Sequence, residues 1–417
     1  MELKRVVVTG MGALTPIGNT LQEYWEGLLN GTPGADHITL FDASKFKTKF
    51  ACEVKNFDPT NFLDKKEARK IDRFTQFALV VSDEAMADAG LNKETINPDR
   101  IGVVFGSGIG GLITFQNEVM DFAKGDGTPR FNPFFIPKMI LDIAAGQISM
   151  RHNLRGPNFA VVSACASSTN AIIEAVNLIK LGKADIIVSG GSEAVISEAG
   201  VGGFNAMKAM SERNDEPATA SRPYDKDRDG FVMGEAAGIL VLEELEHAKA
   251  RGAKIYCEIA GGGATADAHH ITAPHPEGLG ARNVMLAALD DAGMKPGDID
   301  YINTHGTSTP LGDIAEVKAI MNVFGEHAYK LNISATKSMT GHCLGAAGVI
   351  EAIAAIQAVV HDIIPPTINH FTDDPELDPQ LNFTFNKAQK RTVRAALSNT
   401  FGFGGHNACV IVKKFEG

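Results

Sequence analysis

Four side chains stand in settings that suit the transfer of acyl groups. Cys165 ends a short apolar run, and His305, Lys337 and His342 lie in turns rich in Gly, Ser and Thr. A cysteine can carry an acyl group as a covalent intermediate. Neutral histidine N–H groups can stabilise an enolate oxygen, and backbone N–H groups can stabilise a tetrahedral oxyanion. The four residues therefore predict a Cys-His-His-Lys site with Cys165 as the nucleophile.

The sequence around Cys165 predicts that it stands where a strand becomes a helix. Phe159 to Val162 has the length and β-branched content of a buried strand, and apolar residues after Asn170 recur at helical spacing. The first N–H groups of a helix lack internal partners and carry partial positive charge. We therefore expect the pKa of the thiol to fall below its reference of ~8.5. Read alone, Cys165 could also be a small buried residue, because free cysteine is among the most buried types.

The other site residues follow a predicted strand or begin a predicted helix. Asp300 to Thr309 places His305 just past a strand, and Lys337 to His342 opens a helix. Glycines on both sides of Phe403 let its backbone approach closely, which suits a donor to an oxyanion. The chain has 12 histidines, and a lone histidine is more often structural than catalytic. The combination with Cys165 is what favours catalysis.

The two parts of the chain repeat one plan. Residues 331–356 repeat the order found around Cys165, which is a short strand, a small polar turn and an Ala-rich amphipathic helix. A chain of 417 residues also exceeds the ~250–300 at which one core usually stops growing. We predict two similar α/β halves, residues 1–250 with the nucleophilic cysteine and residues 251–417 with the His and Lys residues. Their two helix starts would converge on one site.

Composition excludes several classes of protein. The formal net charge of −11 argues against general nucleic-acid binding. No apolar run approaches the ~18 residues that span a bilayer, and the polar start runs at once into a strand, so we expect neither a membrane segment nor a secretory signal. The five cysteines are scattered and lack metal-type pairing. They indicate a reducing, cytoplasmic compartment with neither disulfides nor a zinc site.

A glycine-rich turn imitates a nucleotide site. Gly106 to Gly111 has the G-x-G-x-x-G spacing and follows a predicted strand, as a dinucleotide site requires. No strand with a ribose-binding acid clearly follows. We interpret the glycines as allowing close backbone packing, with Ile109 pointing at something apolar.

A second segment imitates a calcium loop. Asp225, Asp227 and Asp229 alternate before a glycine, but the twelfth loop position is Ala236 and no helix pair is evident. The predicted purpose of this loop is a buried network that ties it to two arginines, Arg222 and Arg228.

A basic helix is predicted from Lys65 through Ala89. Its basic residues recur at i, i+3, i+4 and i+7, which places on one face Lys66, Arg69, Lys70 and Arg73. Spacing alone favours an ordinary solvated face over a docking site.

Four motifs occur in the following order along the chain: Val162-Ser-Ala-Cys165-Ala-Ser-Ser, Asn303-Thr-His305-Gly-Thr-Ser-Thr-Pro-Leu-Gly-Asp313, Lys337-Ser-Met-Thr-Gly-His342-Cys-Leu-Gly-Ala-Ala-Gly and Phe401-Gly-Phe403-Gly-Gly. Together they resemble the β-ketoacyl-[acyl-carrier-protein] synthases of the thiolase superfamily, in particular the elongating enzymes of bacterial type II fatty acid synthesis. The match runs nearly end to end. It implies an α/β, thiolase-like fold of two pseudo-symmetric βαβαβ-type halves in α-β-α-β-α layers.

The resemblance implies a role for each candidate catalytic residue. Cys165 would accept a growing acyl chain from acyl carrier protein as a thioester. His305 and His342 would hold the malonyl thioester carbonyl and stabilise the enolate left by decarboxylation, which would attack the Cys165 thioester. The products would be 3-oxoacyl-carrier protein and CO2. Lys337 would tune the site electrostatically, with Glu351 as a candidate ion-pair partner.

The resemblance also assigns substrate contacts. The N–H groups of Cys165 and Phe403 would form the oxyanion hole, and the Phe403 ring would gate the acyl pocket. The substrate-binding residues would be Ile109, Phe135, Phe204, Thr307 and Thr309. Neither a metal nor a cofactor is implied.

The implied partners are acyl carrier protein and a second copy of the chain. Because carrier protein is very acidic, the resemblance strengthens the docking interpretation of the basic stripe. In the implied homodimer, Phe135 would lie near or across the interface, and neither nucleic acid nor a membrane would be a partner. Two residues depart from the common pattern: His406 stands where threonine is frequent, and Ala236 where glycine is frequent.

Four alternatives compete with this interpretation, and a polyketide ketosynthase is the main one. A thiolase would have a second cysteine near Phe403, and an initiating synthase would have asparagine in place of His342. A non-catalytic chain-length factor is disfavoured by the presence of Cys165. A stand-alone polyketide ketosynthase would share the same catalytic residues, so only substrate preference would separate it.

Overall fold

A computed structural model describes residues 3–91 and 96–417 of the chain. Its strands are β1 Val6–Leu14, β2 Asp36–His37, β3 Phe50–Ala51, β4 Ile101–Gly106, β5 Asn158–Val161, β6 Ile186–Glu193, β7 Ala236–Glu244, β8 Cys257–Ala266, β9 Tyr301–Asn303, β10 Asn332–Ser334, β11 Ile363–Ile364, β12 Gln389–Lys390, β13 Ala395–Gly402 and β14 His406–Lys414. Its α-helices are α1 Leu21–Leu29, α2 Lys65–Ala68, α3 Arg73–Asp88, α4 Leu112–Lys124, α5 Phe135–Met139, α6 Ile143–His152, α7 Ser167–Lys180, α8 Glu198–Ala206, α9 Leu245–Ala250, α10 Leu279–Ala292, α11 Pro310–Phe324, α12 Lys337–Thr340 and α13 Ala347–His361.

The strands of the main sheet show the predicted repeat. Their order is β5-β4-β6-β7-β1 in the first half and β10-β9-β13-β14-β8 in the second, and the strand directions match position by position. A short antiparallel pairing of β1 with β8, at Val7–Glu258 and Val8–Cys257, joins the two halves. Residue 250 ends α9, just before β8. As a boundary between folding units it stays a prediction.

Helices cover the sheet in the predicted layers. Apolar residues of α7 and α13, such as Ile172 and Ile353, pack in one cluster with residues of both halves. Helices α3 and α6 pack with the first half in a second cluster, and α10 and α11 pack with the second half in a third. The α-β-α-β-α arrangement is therefore confirmed, and it brings the starts of α7 and α13 together between the sheets.

The expectation that no apolar run is long enough to span a membrane is wrong, and the central position of α13 explains why. Leu344–His361 is, within the described residues, one segment long and apolar enough to cross a membrane by length and composition. However, 89% of this segment is buried inside the protein. A helix between two sheets has no solvent face and is therefore apolar all round.

The predicted helix from Lys65 to Ala89 is also wrong in one respect, because it is two helices. The Asp64 side chain accepts the N–H groups of Lys66 and Glu67 and begins α2, and the Asp72 side chain accepts the N–H of Phe74 and begins α3. Side-chain oxygens at such positions satisfy donors that a continuous helix would use internally. The basic residues therefore do not follow one helical stripe.

The loop with alternating aspartates has the predicted structural purpose. The Asp225 carboxylate accepts the backbone N–H groups of Phe371 and Thr372 at 2.7 and 2.8 Å. The Arg228 guanidinium donates to Asp374 at 2.6 Å, while Arg222 donates to the Thr219 carbonyl at 2.8 Å. The loop is thus tied to the protein by its own charged side chains.

Candidate active site

Cys165 lies between the end of β5 and the start of α7. Residues 164–166 form a single 3-10 turn, and Ala164 has a φ of 51°, in the left-handed region. The side chain is buried, and Cys165 belongs to an apolar cluster with Phe231 and Leu344. The predicted strand-to-helix position is confirmed, but the expectation of a buried strand is wrong: β5 is an edge strand, and Phe159 and Val162 are 39% and 57% exposed.

The predicted direction of the thiol pKa is wrong. Burial raises the pKa of Cys165 to about 12, and the carboxylate of Glu193 acts in the same direction. The charge of Lys337 and the backbone N–H groups of Phe403 and Cys165 itself lower the pKa, but desolvation outweighs them. The resting cysteine is therefore a thiol, and the two N–H groups on its sulfur are the pair expected at an oxyanion hole.

His342 contacts the cysteine directly. Its Nε2 lies 3.0 Å from the Cys165 Sγ. Its backbone is fixed on both sides, because its N–H donates to the Val232 carbonyl at 2.7 Å and its carbonyl accepts the Gly234 N–H at 2.9 Å. Gly341 has a φ of 65°, which turns the chain after α12 and directs His342 towards the sulfur.

His305 lies beside His342 at the end of β9. The two imidazole centroids are 5.2 Å apart and the rings are nearly perpendicular, at 89°. The Glu316 carboxylate of α11 accepts the backbone N–H groups of His305 and Gly306, both at 2.9 Å. Glu316, which the sequence did not point out, therefore fixes the turn that carries His305.

Burial and charge keep both histidines neutral. Desolvation lowers the pKa of His305 and of His342 well below the usual value, and the nearby charge of Lys337 lowers both further. Among the described residues, Nδ1 of each ring has no hydrogen-bond partner. A neutral imidazole can present an N–H to a substrate oxygen without itself carrying a charge.

Lys337 forms an ion pair with Glu351 behind the histidines. Both side chains are buried, at 1% and 0% exposure. Burial raises the pKa of Glu351 to about 7, although Lys337 opposes the rise. Lys337 does not line the cavity, so it reaches the reacting groups through its electric field alone.

A cavity of about 400 Å³ opens onto Cys165, His305 and His342. Four of the predicted substrate-site residues line it, namely Phe204, Phe403, Thr307 and Thr309. The hydroxyls of Thr307 and Thr309 are 3.0 Å apart, and the rings of Phe204 and Phe403 are 6.2 Å apart.

Two predicted pocket residues do not line this cavity. Ile109 packs on the apolar cluster that contains Cys165 but is not among the residues that line the cavity. Phe135 lies on the surface of α5, where its ring stacks with Phe115 at 6.3 Å and Phe131 at 5.5 Å. Their assignment to the acyl pocket stays a prediction.

The glycine-rich turn before α4 is occupied by a side chain of the protein. The Glu193 carboxylate accepts the N–H groups of Gly108, Ile109 and Gly110 at 2.7, 3.1 and 3.0 Å. These N–H groups are the ones a nucleotide phosphate would require. The structural interpretation of this turn is therefore confirmed, although Glu193 itself was missed.

One residue of the basic stripe, Arg73, is bound by a buried carboxylate of the protein itself. The Arg73 guanidinium donates to both oxygens of the buried Glu235 at 2.9 and 2.6 Å and lies over the Phe77 ring. This contact gives Arg73 a structural role, and its assignment to docking stays a prediction. The other three residues of the stripe, Lys66, Arg69 and Lys70, are exposed.

Within the described residues, no group of three or more His, Cys, Asp or Glu side chains is placed to hold a metal ion. Among the buried side-chain oxygens that have no hydrogen-bond partner in the described residues are Asn303 Oδ1, Ser398 Oγ and Asn399 Oδ1. Ser398 faces Asn303 across β13 and β9, and Asn399 donates to Glu316 at 3.2 Å.

The sequence models described as "Beta-ketoacyl synthase, N-terminal domain" and "Beta-ketoacyl synthase, C-terminal domain" match residues 3–248 and 256–371. The chain belongs to the β-ketoacyl synthase family. It is 50% identical to a 3-oxoacyl-[acyl-carrier-protein] synthase 2 of Synechocystis sp., over 100% of this chain and 99% of that one. It is 52% identical to the synthase 2 of Staphylococcus aureus, over 99% of both chains.

Solved structures of this synthase family have the same fold. A β-ketoacyl synthase from Burkholderia phymatum superposes with a TM-score of 0.91 at 35% identity, and the ishigamide ketosynthase/chain length factor with 0.92 at 34%. Each match covers 99% of this chain and 100% of the other chain. A third, a type II PKS acyl-carrier protein in complex with its ketosynthase, gives 0.89 at 31%, over 99% of this chain and 100% of that one. The thiolase-like fold of this synthase is therefore confirmed.

Proposed function

We propose that this enzyme elongates fatty acyl chains by decarboxylative Claisen condensation. It joins malonyl-[acyl-carrier-protein] to an acyl group held on Cys165 and gives 3-oxoacyl-[acyl-carrier-protein] and CO2. The observation that carries the proposal is the contact of His342 Nε2 with the Cys165 sulfur at 3.0 Å, with the His305 ring beside it in the same cavity.

In the first step, the acyl chain moves to the cysteine. The Cys165 sulfur attacks the thioester carbon of acyl-carrier protein, the carrier sulfur leaves, and the thiol proton passes to it. The N–H groups of Cys165 and Phe403 stabilise the oxyanion formed in between. Because the resting thiol is protonated, this proton has to leave the sulfur in the course of acyl transfer.

In the second step, malonyl-carrier protein loses CO2. The imidazole N–H groups of His305 and His342 donate to the thioester carbonyl of the malonyl group. The bond to the carboxylate carbon breaks, and its electron pair becomes the enolate whose oxygen those N–H groups stabilise. Neutral histidines suit this task because they add no positive charge that would hold the departing carboxylate.

In the third step, the enolate carbon attacks the thioester carbon on Cys165. The new C–C bond forms, the C–S bond breaks, and the Cys165 sulfur leaves as a thiolate that takes a proton from solvent. The same two N–H groups that served the first step serve this one, since both pass through a tetrahedral oxyanion. The hydroxyls of Thr307 and Thr309 lie along the cavity, where they can bind the arm that carries the malonyl group.

The carrier protein is proposed to dock at the basic residues Lys66, Arg69 and Lys70. A solved relative at 31% identity contains a ketosynthase in complex with an acyl-carrier protein, which supports this kind of partner. All three side chains are exposed, and positive charge steers an acidic partner.

A homodimer is proposed for the active form. The first half exposes apolar side chains at 37–57% on α4, around α5 and along β5: Phe115, Val119, Met120, Phe122, Phe131, Phe134, Ile136, Phe159 and Val162. Strand β5 is also an edge strand of the sheet. Extended apolar surface beside an unpaired edge is typical of an interface, so a second copy would cover this face and bring Phe135 to the contact.

The fatty acid pathway is favoured over polyketide work. The chain is 50–52% identical to synthases named for 3-oxoacyl-carrier protein but 31–34% identical to the two polyketide-type chains. The cysteine and both histidines argue against a non-catalytic partner subunit. We further propose a cytoplasmic location, since all five cysteines are free.

The test is a condensation assay with defined carrier proteins. Acyl-carrier proteins of several chain lengths are mixed with malonyl-carrier protein and the enzyme, and the products are read by mass. We expect 3-oxoacyl products two carbons longer than saturated primers. Exclusive use of primers that already contain keto groups would support the polyketide alternative, and no product from any primer would contradict condensation.

A further inference from the structure

Glu193 is a buried carboxylate that takes no part in the reaction steps above. It ends β6, and its exposure is 0%. Five donors surround its two oxygens. Oε1 accepts from Ser107 Oγ at 3.0 Å, Ile109 N at 3.1 Å and Gly110 N at 3.0 Å, and Oε2 accepts from Gly108 N at 2.7 Å and Gly345 N at 3.0 Å.

Backbone N–H groups supply almost all of this stabilisation. Within the described part of the chain, Glu193 forms no ion pair with Lys, Arg or His. A buried carboxylate without a cation must obtain its compensation from hydrogen bonds. The four backbone donors come from two segments far apart in sequence, so the carboxylate fixes those segments to each other.

The two segments flank the cysteine. One carries Ile109, and the other is the 3-10 turn Leu344–Ala346, which opens α13 as the turn with Cys165 opens α7. Ile109 and Leu344 both belong to the apolar cluster that contains Cys165. The two histidines of the malonyl side are held separately, His305 by Glu316 and His342 by its backbone hydrogen bonds to Val232 and Gly234.

The contact between these segments has no free space. A Cβ added at Gly345 would lie 2.3 Å from the Gly108 N and 2.5 Å from a Glu193 oxygen. A Cβ added at Gly108 would lie 2.9 Å from Glu193 Oε2 and 3.1 Å from the Ala164 carbonyl, next to Cys165. The position of the carboxylate therefore determines how closely Ile109 and Leu344 approach the cysteine.

We propose that Glu193 is a positioning residue for acyl transfer that sets the range of chain lengths accepted at Cys165. It does so by holding Ile109 and Leu344 in place within the apolar cluster that surrounds Cys165. This inference rests on the proposed function and adds a determinant of its acyl specificity. It assigns Glu193 to the acyl side only, so malonyl decarboxylation is independent of it.

Glu193→Gln tests the proposal with almost no change of volume. Whichever oxygen is replaced by the amide nitrogen, that nitrogen faces at least two hydrogen-bond donors and cannot accept a hydrogen bond from either. We expect acylation of Cys165 to fall about tenfold for the preferred chain, with a changed order of preference across chain lengths. Malonyl-carrier-protein decarboxylation without primer should stay within about twofold of wild type.

Two further variants make the result specific. Glu243→Gln alters another buried carboxylate, which binds Thr9 and Arg251 away from the cavity. It should lower the melting temperature without changing chain-length preference. In an Ile109→Ala background, Glu193→Gln should alter that preference much less than in wild type, because the side chain it positions is gone.

The outcomes separate the two claims. An unchanged chain-length profile in Glu193→Gln, or an equal loss of decarboxylation, would overturn the inference while wild-type acylation left the proposed function intact. A wild type that is never acylated would overturn both. Should Glu193→Gln fail to fold, Glu193→Asp, which keeps the charge but withdraws the carboxylate, is judged by the same profile.

Discussion

Two histidines at the centre of the site are held neutral by their surroundings. Burial and the charge of Lys337 lower the pKa of both His305 and His342. An ordinary histidine, with a pKa of ~6.5, would become half charged at that pH. Because the pKa of both histidines in the folded protein lies below ~6.5, both rings stay neutral as the pH falls through ~6.5.

Decarboxylation should therefore show no inflection near the pH of a free imidazole. We expect the rate of CO2 release from malonyl-carrier protein to stay flat from about pH 8 down to about pH 6. The check is a pH–rate profile at saturating substrate. A fall by half centred near pH ~6.5 would show that an ordinary histidine controls the step.

Replacing either histidine should separate the two half-reactions. His305→Ala and His342→Ala each remove an N–H from the enolate, so decarboxylation should fall on the order of 10²–10³-fold. Acyl transfer to Cys165 should be largely retained, as read by intact mass. His361→Ala, at the end of α13 where the ring stacks on Trp25, is the matched control. Loss of acylation with normal decarboxylation would reverse the assigned roles.

The buried ion pair of Lys337 and Glu351 should contribute to the stability of the protein. Glu351→Gln would leave a buried ammonium without its carboxylate, and removing one partner of such a pair costs about 3–5 kcal/mol. We expect chemical denaturation to show this loss. In the double variant Lys337→Met with Glu351→Gln, the loss should be smaller than the sum of the single losses. Additive losses would mean that the two groups do not interact.

At the scale of elements, helix caps override a periodic pattern. The spacing of basic residues from Lys66 to Arg73 suggested one helical face. Instead, Asp64 caps the short helix α2 and Asp72 caps the longer helix α3. The partner of Arg73 is Glu235, 162 positions away in sequence. No local pattern can reveal a contact at that separation, so the structural purpose of Arg73 was hidden.

Arg73 and its basic neighbours should therefore differ in what they control. Arg73→Ala leaves the buried Glu235 carboxylate unpaired and should lower the free energy of unfolding by about 3–5 kcal/mol. Lys66→Ala should change stability by less than about 0.5 kcal/mol, yet raise KM for acyl-carrier protein in a salt-dependent way. Unfolding curves and KM at low and high salt check both. A stable Arg73→Ala with a raised KM would restore Arg73 to the docking surface.

The turns that hold the site show the same limit of sequence reasoning. Cys165, His305 and His342 were found because each stands in a distinctive turn after a strand or before a helix. Glu193 accepts the Gly345 N–H just after His342, and Glu316 accepts the His305 N–H, yet both looked like ordinary acidic residues. A glycine-rich turn with unpaired N–H groups predicts an anion, but the sequence does not say which one.

At the scale of the molecule, the repeat predicted most of the architecture. Strand order, strand directions and the meeting of α7 with α13 follow once two similar halves pack face to face. The sequence did not show how strongly Cys165 would be desolvated, because that depends on how closely the two halves pack together. That is why the expected direction of the Cys165 pKa was wrong while its position was right.

The exposed apolar face makes a prediction about assembly. We expect a dimer at micromolar concentration, and Val162→Asp, which places a charge beside the edge of β5, should shift it towards monomer. Leu286→Asp on α10, in the other half, is the matched control and should leave the dimer intact. Analytical ultracentrifugation checks this. A wild type that sediments only as a monomer would contradict the proposed interface.

The central claim is that Cys165 carries the acyl group, and the mass of the intact protein tests it most directly. Wild type and Cys165→Ala are each mixed with a panel of acyl-carrier proteins, and malonyl-carrier protein is added in a parallel sample. We expect the wild type alone to gain the mass of the acyl chain. If neither protein gains mass, and malonyl-carrier protein also remains intact, the catalytic assignment is contradicted and the chain is a non-condensing member of its family.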